Sequence, residues 1–306
     1  MARAVRFDEY GGPEVLYIAQ VDVPTPQPGE VVVQVKAAAI NPGEASIRKG
    51  LLAERWPSTF PSGEGTDLAG IVHAVGDGVD EFAAGDEVFG WSWRRSSHAD
   101  YVEVPAEQLV PKPPEVSWEA AGSLNVAGCT AWAAVEAVAV QSGDTVAVSA
   151  AAGGVGVFAV QLLALRGAGV LGIASESHHD WLRAHHATPI SYGEGLAERL
   201  RAAAPDGLDA FIDLFGPQYL DLAVELGVAP ERINTIISFE RAAEIGAKTQ
   251  GSAEGSNRAV MRELAELVRD GKLEVPIAAT YPLEAVRDAF AELEQRHTLG
   301  KIVLIP

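Results

Sequence analysis

Residues 145–161, TVAVSAAAGGVGVFAVQ, have the spacing of a phosphate-binding turn between a strand and a helix. Ala151, Gly153 and Gly156 occupy the three small-residue positions of the pattern G-x-G-x-x-G, with alanine at the first. The second glycine allows a pyrophosphate to approach the backbone, and the third allows the helix to pack closely on the strand. Free N–H groups and the positive end of the helix dipole attract the anion. The turn therefore predicts a dinucleotide site, to which the adjoining Gly154 and Val155 also belong.

Strands and helices alternate around this turn, which is typical of a parallel, doubly wound sheet. The predicted strands are 145–150, 169–175, 208–216 and 233–238, and the predicted helices are 156–167, 179–186, 219–227 and 257–271. The first third of the chain is instead β-rich, with predicted strands at 30–40, 67–75, 86–91 and 99–104. Residues 117–139 are predicted to be helical, and the tail is predicted to add a strand, a helix and a strand.

Composition excludes several classes of partner. The chain has 306 residues, enough for two domains, and its formal net charge of −19 disfavours nucleic acid and anionic membrane surfaces. A single cysteine, Cys129, excludes an intramolecular disulfide and a multi-cysteine metal site. The first residues lack the apolar core of a signal peptide, and no uncharged apolar run approaches about 18 residues. We expect a cytoplasmic protein with no membrane partner and no nucleic-acid partner.

Several motifs in a fixed order resemble the medium-chain dehydrogenase/reductase superfamily, in its zinc-independent, quinone-oxidoreductase-like branch. They are INPGEASIRKG (40–50), GEGTDLAGIVHAVGDGV (63–79), AGDEVFG (84–90), VAGCTAW (126–132), SAAAGGVGVFAVQ (149–161) and GKIVL (300–304). The resemblance covers nearly the whole chain and implies an α/β fold. It implies a GroES-like β-rich catalytic domain, residues 1–120 and 275–306, and a Rossmann dinucleotide-binding domain, residues 121–274. The active cleft would lie between the two domains.

The resemblance also implies that zinc is absent. Zinc alcohol dehydrogenases of the superfamily place catalytic ligands at three points, and the first of these, INPGE, lacks a cysteine here. The second has Gly63 where a histidine would precede Glu64, and the third has Val126, three residues from Cys129. The histidine pairs 178–179 and 185–186 point to different helix faces and are not predicted to bind a metal.

Cofactor preference is expected to depend on the loop after the second Rossmann strand. Ser175 stands where NADP-using relatives carry serine, but Ser177 replaces their lysine or arginine, and Glu176 lies between the two. The two hydroxyls and His178 could bind the 2′-phosphate of NADP, and Tyr192 matches a family tyrosine of the adenosine-phosphate pocket. Glu176 could instead accept a hydrogen bond from the ribose 2′-OH of NAD. We expect NADP(H), with NAD(H) as the alternative.

At the reacting end, the resemblance assigns a catalytic positioning role to Asn41, beside the nicotinamide, and places Thr130 near the carboxamide and a phosphate. Structural roles, as an Asn-Pro turn and as a hydroxyl bonded within a helix, are the alternatives for these two. Further cofactor-lining candidates by resemblance are Phe215, Ile237, Ser238 and Lys301. Glu44 replaces the aspartate of the family pattern, which changes the local hydrogen-bond network. Arg48, Trp56, Trp91 and Trp93 are candidates for the acceptor pocket or for domain packing.

Together these features predict an NADP(H)-dependent reductase of quinones or α,β-unsaturated carbonyl compounds, because no Lewis acid is present to polarise an alcohol. The alternatives are a reductase or dehydrogenase specific to one enoyl or secondary-metabolite substrate, and a non-catalytic dinucleotide sensor. We also expect a homodimer, formed by pairing of the apolar strand INTIIS (233–238) across a two-fold axis.

Overall fold

The computed structural model describes residues 1–306, which form two compact units. The first unit comprises Met1–Val126 and Asn257–Pro306, and the second comprises Ala127–Ser256. No helix is both long enough and apolar enough to cross a lipid bilayer. The predicted fold class is confirmed, since a parallel doubly wound sheet occurs together with a β-rich unit.

The strands are β1 Ala2–Phe7, β2 Tyr17–Val21, β3 Glu30–Ala39, β4 Ser62–Gly63, β5 Asp67–Val75, β6 Glu87–Trp91, β7 Tyr101–Pro105, β8 Leu109–Pro111, β9 Thr145–Val148, β10 Gly169–Ala174, β11 Ala187–Ser191, β12 Ala210–Asp213, β13 Ile233–Thr235, β14 Ile277–Pro282 and β15 Lys301–Ile305. The α-helices are α1 Pro42–Arg48, α2 Trp118–Ala121, α3 Thr130–Ala137, α4 Gly156–Leu165, α5 His179–Ala184, α6 Leu196–Ala203, α7 Gln218–Glu225, α8 Phe239–Ile245, α9 Ser252–Gly255, α10 Arg258–Arg269 and α11 Val286–Glu294.

The second unit contains a five-stranded parallel sheet in the order β11-β10-β9-β12-β13. Its central strands are apolar and buried, as a sheet covered on both faces requires. The chain leaves β9 toward β10 on one side and returns beside β9 as β12, so the strand order reverses between β9 and β12. The carboxyl ends of these two strands are where such sheets bind dinucleotides.

In the first unit, the C-terminal strand is inserted beside an N-terminal one. The larger sheet runs β14-β15-β3-β5-β6-β8, with β7 also paired to β3, and a second sheet has the order β2-β1-β4. Because β15 pairs antiparallel with the end of β3, Lys301 comes close to the chain that follows β3. Helix α11 and β15 share an apolar core with β1 and α1.

One helix, one strand and one boundary between units differ from the sequence prediction. The helix expected over 117–139 is divided into α2, a π-helical segment Leu124–Cys129 and α3, because Val126 N–H is directed to the Asp67 carboxylate. The unit division at 256/257 differs from the predicted boundary at 274, because α10 packs against β8 of the first unit. The strand expected over 233–238 ends at Thr235, whose hydroxyl accepts the N–H groups of the next turn.

The outer side of β13 is occupied by residues of the same chain. Lys248 forms a parallel bridge with Asn234, donating its N–H to Ile233 O at 2.8 Å and accepting Thr235 N–H at 3.0 Å. The Asn234 side chain adds two hydrogen bonds to the backbone of Gln250. The strand edge on which the expected two-fold pairing was based is therefore already hydrogen-bonded within the chain.

Candidate functional site

The glycine turn joins β9 to α4 at the carboxyl edge of the parallel sheet. Ala150 takes a positive φ of 46°, and a Cβ built on Gly156 would lie 2.2 Å from Ala150 O, so only glycine fits there. A Cβ on Gly153 would meet Ala150 O at 3.2 Å and is otherwise unobstructed. Gly154 and Val155 precede the first helical residue and donate no backbone hydrogen bond. The turn therefore presents free N–H groups and open backbone to an anionic group.

The loop after β10 brings the predicted selectivity residues together. Ser175 directly precedes the 3₁₀ turn Glu176–His178, which contains Ser177, and the two hydroxyl oxygens lie 2.9 Å apart. Glu176 is exposed and accepts a long hydrogen bond, 3.5 Å, from the hydroxyl of Ser191 at the end of β11. Tyr192 follows and is half exposed. Ser191 was not predicted, and its place at the end of β11 is the signal that could have identified it.

A buried carboxylate, Asp213, stands at the carboxyl end of β12 and was not predicted from the sequence. Its Oδ1 accepts hydrogen bonds from Ser149 Oγ at 2.9 Å, Phe215 N–H at 2.9 Å and Gly216 N–H at 3.1 Å. Asp213 is wholly buried, and these donors belong to the chain after β9 and after β12. The buried run AFID ends in an acidic residue, and this pattern is the signal in the sequence that could have identified Asp213.

The other oxygen of Asp213 holds the chain that follows β13. Oδ2 accepts hydrogen bonds from Thr235 Oγ1 at 2.8 Å and from Ser238 Oγ at 3.3 Å. The predicted site residues Phe215 and Ile237 are about two-fifths exposed, at 39% and 45%, whereas Ser238 is buried. The structure therefore gathers Phe215, Ile237 and Ser238 around one carboxylate at the carboxyl edge.

Thr130 occupies a different setting. It is buried at the first position of α3, directly after the π-helical segment. Its methyl group lies 3.9 Å from the position of a Cβ built on Gly251, and α3 packs against α9 and β13. No hydrogen bond of its hydroxyl connects it to the Asp213 group.

In the first unit, Asn41 is held by a network of buried charges. Lys301 Nζ donates to Asn41 Oδ1 at 2.6 Å, and Asn41 Nδ2 donates to Glu44 Oε1 at 3.2 Å and to Asp67 Oδ2 at 2.9 Å. Glu44 also accepts the N–H groups of Asn41 and Thr66. Both hydrogens of the Asn41 amide are thus donated and its oxygen accepts a hydrogen bond, so the orientation of the amide is fixed.

This network also locates Lys301, which was predicted to line the cofactor. Its side chain is 2% exposed and its ammonium group is directed at Asn41 and at Ile40 O, 3.3 Å away. Burial raises the pKa of Glu44 and of Asp67, whose carboxylates face this single ammonium group, and lowers the pKa of Lys301. In this structure the buried ammonium group of Lys301 positions Asn41.

A second buried ion pair lies behind this network. Arg48 is wholly buried, its Nη1 is 2.7 Å from Glu64 Oε1, and its guanidinium carbon lies 4.3 Å from the ring centre of Phe290. Burial raises the pKa of Glu64 to about 8. Of the other acceptor-pocket candidates, Trp91 is buried, and Trp56 and Trp93 are partly exposed. Arg48 therefore serves packing and charge pairing.

The points at which relatives bind zinc carry no suitable donors. A Cβ built on Gly63 would lie 2.4 Å from Arg95 O, so this backbone leaves no room for a histidine side chain. Val126 is apolar, and Cys129 is buried. Nowhere in the chain do three His, Cys, Asp or Glu side chains come together as a metal would require.

The buried His98 supports a prediction on the pH dependence of stability. Its Nε2 lies 3.3 Å from Ala39 O, and burial lowers the pKa of the ring to about 4. In the unfolded chain the His98 ring takes up a proton near pH 6.5, whereas in the folded chain it stays neutral down to about pH 4. The contribution of His98 to the free energy of unfolding is therefore fully present above pH 6.5 and is lost on acidification. Between pH 6.5 and about 4 the His98 contribution should fall by roughly 3 kcal/mol.

Urea unfolding across this pH range measures the effect as the difference between wild type and His98→Gln. The subtraction removes the opposite contribution of carboxyl groups whose pKa burial has raised, among them Glu44 and Asp67. The free energies of unfolding of the two proteins should differ in their dependence on pH only below about pH 6.5. Parallel curves over the whole range would show that His98 is not the responsible group.

Comparison with known proteins matches both halves of the chain. Residues 27–115 match the family model described as alcohol dehydrogenase GroES-like domain, and residues 182–304 match the one described as zinc-binding dehydrogenase. The quinone oxidoreductase of Rattus norvegicus is 27% identical, with 100% of this chain and 98% of the relative covered. The crystal structure of Escherichia coli quinone oxidoreductase complexed with NADPH is 26% identical, with 100% of both chains covered and a TM-score of 0.89. A crystal structure described as an NAD-dependent alcohol dehydrogenase is 31% identical over 99% of each chain, with a TM-score of 0.88.

Proposed function

Because the chain belongs to the medium-chain dehydrogenase/reductase superfamily, in its quinone-oxidoreductase-like branch, and is an NAD(P)H-dependent oxidoreductase, we propose a specific reaction for it. It uses NADP(H) and reduces a quinone or an α,β-unsaturated carbonyl compound without zinc. The similarity to the Escherichia coli enzyme complexed with NADPH supports this choice of cofactor.

The observation that carries the proposal is the carboxyl edge of the parallel sheet. The turn offers the free N–H groups of Gly154 and Val155 for a pyrophosphate, and Ser175 and Ser177 present two hydroxyls 2.9 Å apart after the next strand. In sheets of this kind the adenosine half of a dinucleotide extends from the turn toward the next strand, which here is β10. Two hydroxyl donors on one turn suit the oxygens of a 2′-phosphate.

Reduction without a metal agrees with the side chains at the three family ligand points. Gly63 and Val126 offer no donor atom, so an acceptor would have to be activated by its own conjugation. When bound, the nicotinamide supplies a hydride and the protein supplies orientation and exclusion of water. We keep the assignment of Asn41 to the reacting end, which rests on the family resemblance, as a positioning group; the hydrogen bonds of its amide with Lys301, Glu44 and Asp67 suit that role.

The test is oxidation of NADPH by the purified protein in the presence of a panel of quinones and enones. Turnover that survives dialysis against a chelator supports the proposal, with zinc content measured on the same sample. Gly153→Val, which blocks the backbone at the turn, serves as the inactive control. Stoichiometric zinc, or activity lost to the chelator, would contradict the metal-free reaction. Tight NADPH binding with no acceptor reduced would instead indicate a dinucleotide sensor.

Cofactor preference gives a prediction for the loop after β10. Ser177→Arg should tighten NADPH binding about tenfold, because a guanidinium group forms paired hydrogen bonds with a phosphate. Glu176→Ala should leave NADPH binding equal or stronger, since its carboxylate is directed to Ser191 and only repels a 2′-phosphate. Dissociation constants for NADPH and NADH from fluorescence titration measure both effects.

Ser142→Arg is the matched control, because it adds the same charge at an exposed position before β9, at the opposite edge of the sheet. It should change NADPH affinity by less than about twofold at physiological salt. NADH binding that is tighter than NADPH binding in wild type and is lost in Glu176→Ala would identify NAD as the cofactor.

A further inference from the structure

We propose that Asp213 is the positioning residue for the nicotinamide half of the cofactor. The inference rests on the proposed function, since it takes a dinucleotide to be bound at this sheet edge. Asp213 is wholly buried and joins the three chain segments that follow β9, β12 and β13. No other single side chain forms hydrogen bonds to all three of these segments.

The hydrogen-bond directions require Asp213 to accept on both oxygens. Ser149 Oγ accepts the N–H of Leu214 at 2.8 Å, so its own hydrogen is donated to Asp213 Oδ1. The same oxygen accepts two backbone N–H groups, from Phe215 and Gly216. A donor atom at this position would face two N–H donors, which is unfavourable in a buried site.

The Oδ2 side is equally constrained. Thr235 Oγ1 accepts the N–H groups of Ile237 at 3.2 Å and Ser238 at 3.1 Å, so its hydrogen is donated to Asp213. Ser238 Oγ adds a second hydroxyl donor to the same oxygen. An amide in place of the carboxylate would therefore oppose donors on whichever side its NH₂ group is placed.

The position of these segments decides which half of the cofactor they meet. The pyrophosphate lies at the turn after β9, and the adenosine half extends toward Ser175 and Ser177 after β10. The other half must extend to the opposite side of β9, over the ends of β12 and β13. There the partly exposed Phe215 extends from backbone that donates to Asp213, and Ile237 from backbone that donates to Thr235, whose hydroxyl in turn donates to Asp213. Asp213 thus acts on the nicotinamide half through its neighbours and need not contact the cofactor.

The test compares NADPH with adenosine 2′,5′-bisphosphate, which lacks the nicotinamide half. Asp213→Asn should weaken NADPH binding about tenfold or more, while affinity for the bisphosphate stays within about twofold of wild type. The control is Asp209→Asn, directly before the same strand, where the Asp209 carboxylate accepts the N–H of Thr145. This control should leave both affinities unchanged.

A second pair of variants tests the same inference at Thr235, should Asp213→Asn fail to fold. Thr235→Val removes the hydroxyl that links Asp213 to the segment after β13, and Thr235→Ser restores it. The valine variant should weaken NADPH binding selectively, and the serine variant should recover most of it. Equal weakening of NADPH and bisphosphate binding in these variants, or none, overturns the inference. Failure of the wild-type protein to bind either compound would instead contradict the proposed function.

Discussion

Replacing Lys301 by methionine is expected to lower the free energy of unfolding by about 3–5 kcal/mol at neutral pH. Lys301 is the only cation bonded to Asn41 and lies 3.9 Å from Asp67 Oδ2. Its removal leaves Glu44 and Asp67 buried without a counter-charge and leaves Asn41 Oδ1 without its donor. Urea unfolding monitored by circular dichroism measures the loss.

The pH dependence of Lys301→Met separates electrostatics from packing. Burial already raises the pKa of Glu44 and Asp67, and loss of the ammonium group should raise it further. A carboxyl group with a raised pKa favours the folded state at low pH and loses that advantage as pH increases, so the deficit should shrink on going from pH 8 to pH 5.5.

Two further variants complete that experiment. Lys272→Met, at an exposed position of the same unit, should change stability by less than about 0.5 kcal/mol. Adding Asp67→Asn to Lys301→Met removes one of the uncompensated charges and should recover part of the loss, but only part, because the new amide opposes the N–H of Val126 or the NH₂ group of Asn41. A deficit independent of pH and unchanged in the double variant would mean that the methionine side chain is simply badly packed.

Gly156→Ala is expected to abolish useful cofactor binding, with affinity for NADPH falling on the order of 100-fold, and to cost about 1–3 kcal/mol of stability. The new methyl group would lie 2.2 Å from Ala150 O and 2.6 Å from Ala151 C. Both are backbone atoms of the turn, so the chain between β9 and α4 must move. Calorimetric titration with NADPH and thermal unfolding measure the two effects separately.

Gly153→Ala and Gly169→Ala provide the comparison. A Cβ on Gly153 meets only Ala150 O, at 3.2 Å, so stability should change little while NADPH binding weakens where the backbone would approach the pyrophosphate. A Cβ on Gly169 has only ordinary contacts, the nearest 3.8 Å away, so neither property should change. If Gly156→Ala binds NADPH as tightly as Gly169→Ala, the turn is not the pyrophosphate site.

Local features of the fold were predictable from the sequence, and long-range polar contacts were not. The glycine turn is specified by neighbouring residues, and the parallel sheet by regular alternation of apolar segments, so both were anticipated. Asn41 was proposed as a site residue by resemblance, but its partners Asp67 and Lys301 lie far along the chain. Their contact depends on β15 pairing with β3, which no local pattern indicates.

Competing hydrogen bonds explain the elements whose limits were wrong. The apolar run INTIIS satisfies the pattern of a six-residue strand, but Thr235 accepts the N–H groups of Ile237 and Ser238 and turns the chain. The helical pattern over 117–139 is interrupted where Val126 N–H meets Asp67. In both places a polar side chain takes a backbone donor that periodicity assigns to regular structure.

The pairing of Lys248 with β13 has a consequence for how this protein behaves at high concentration. An unpaired strand edge is a template on which other chains can add strands, and it promotes aggregation. Here residues 248–250 occupy that side of β13. A second molecule cannot pair with β13 until this segment is displaced. The segment thus protects the backbone of β13 from strand addition by another chain, and any two-fold assembly on that side would meet residues 248–250 instead of β13.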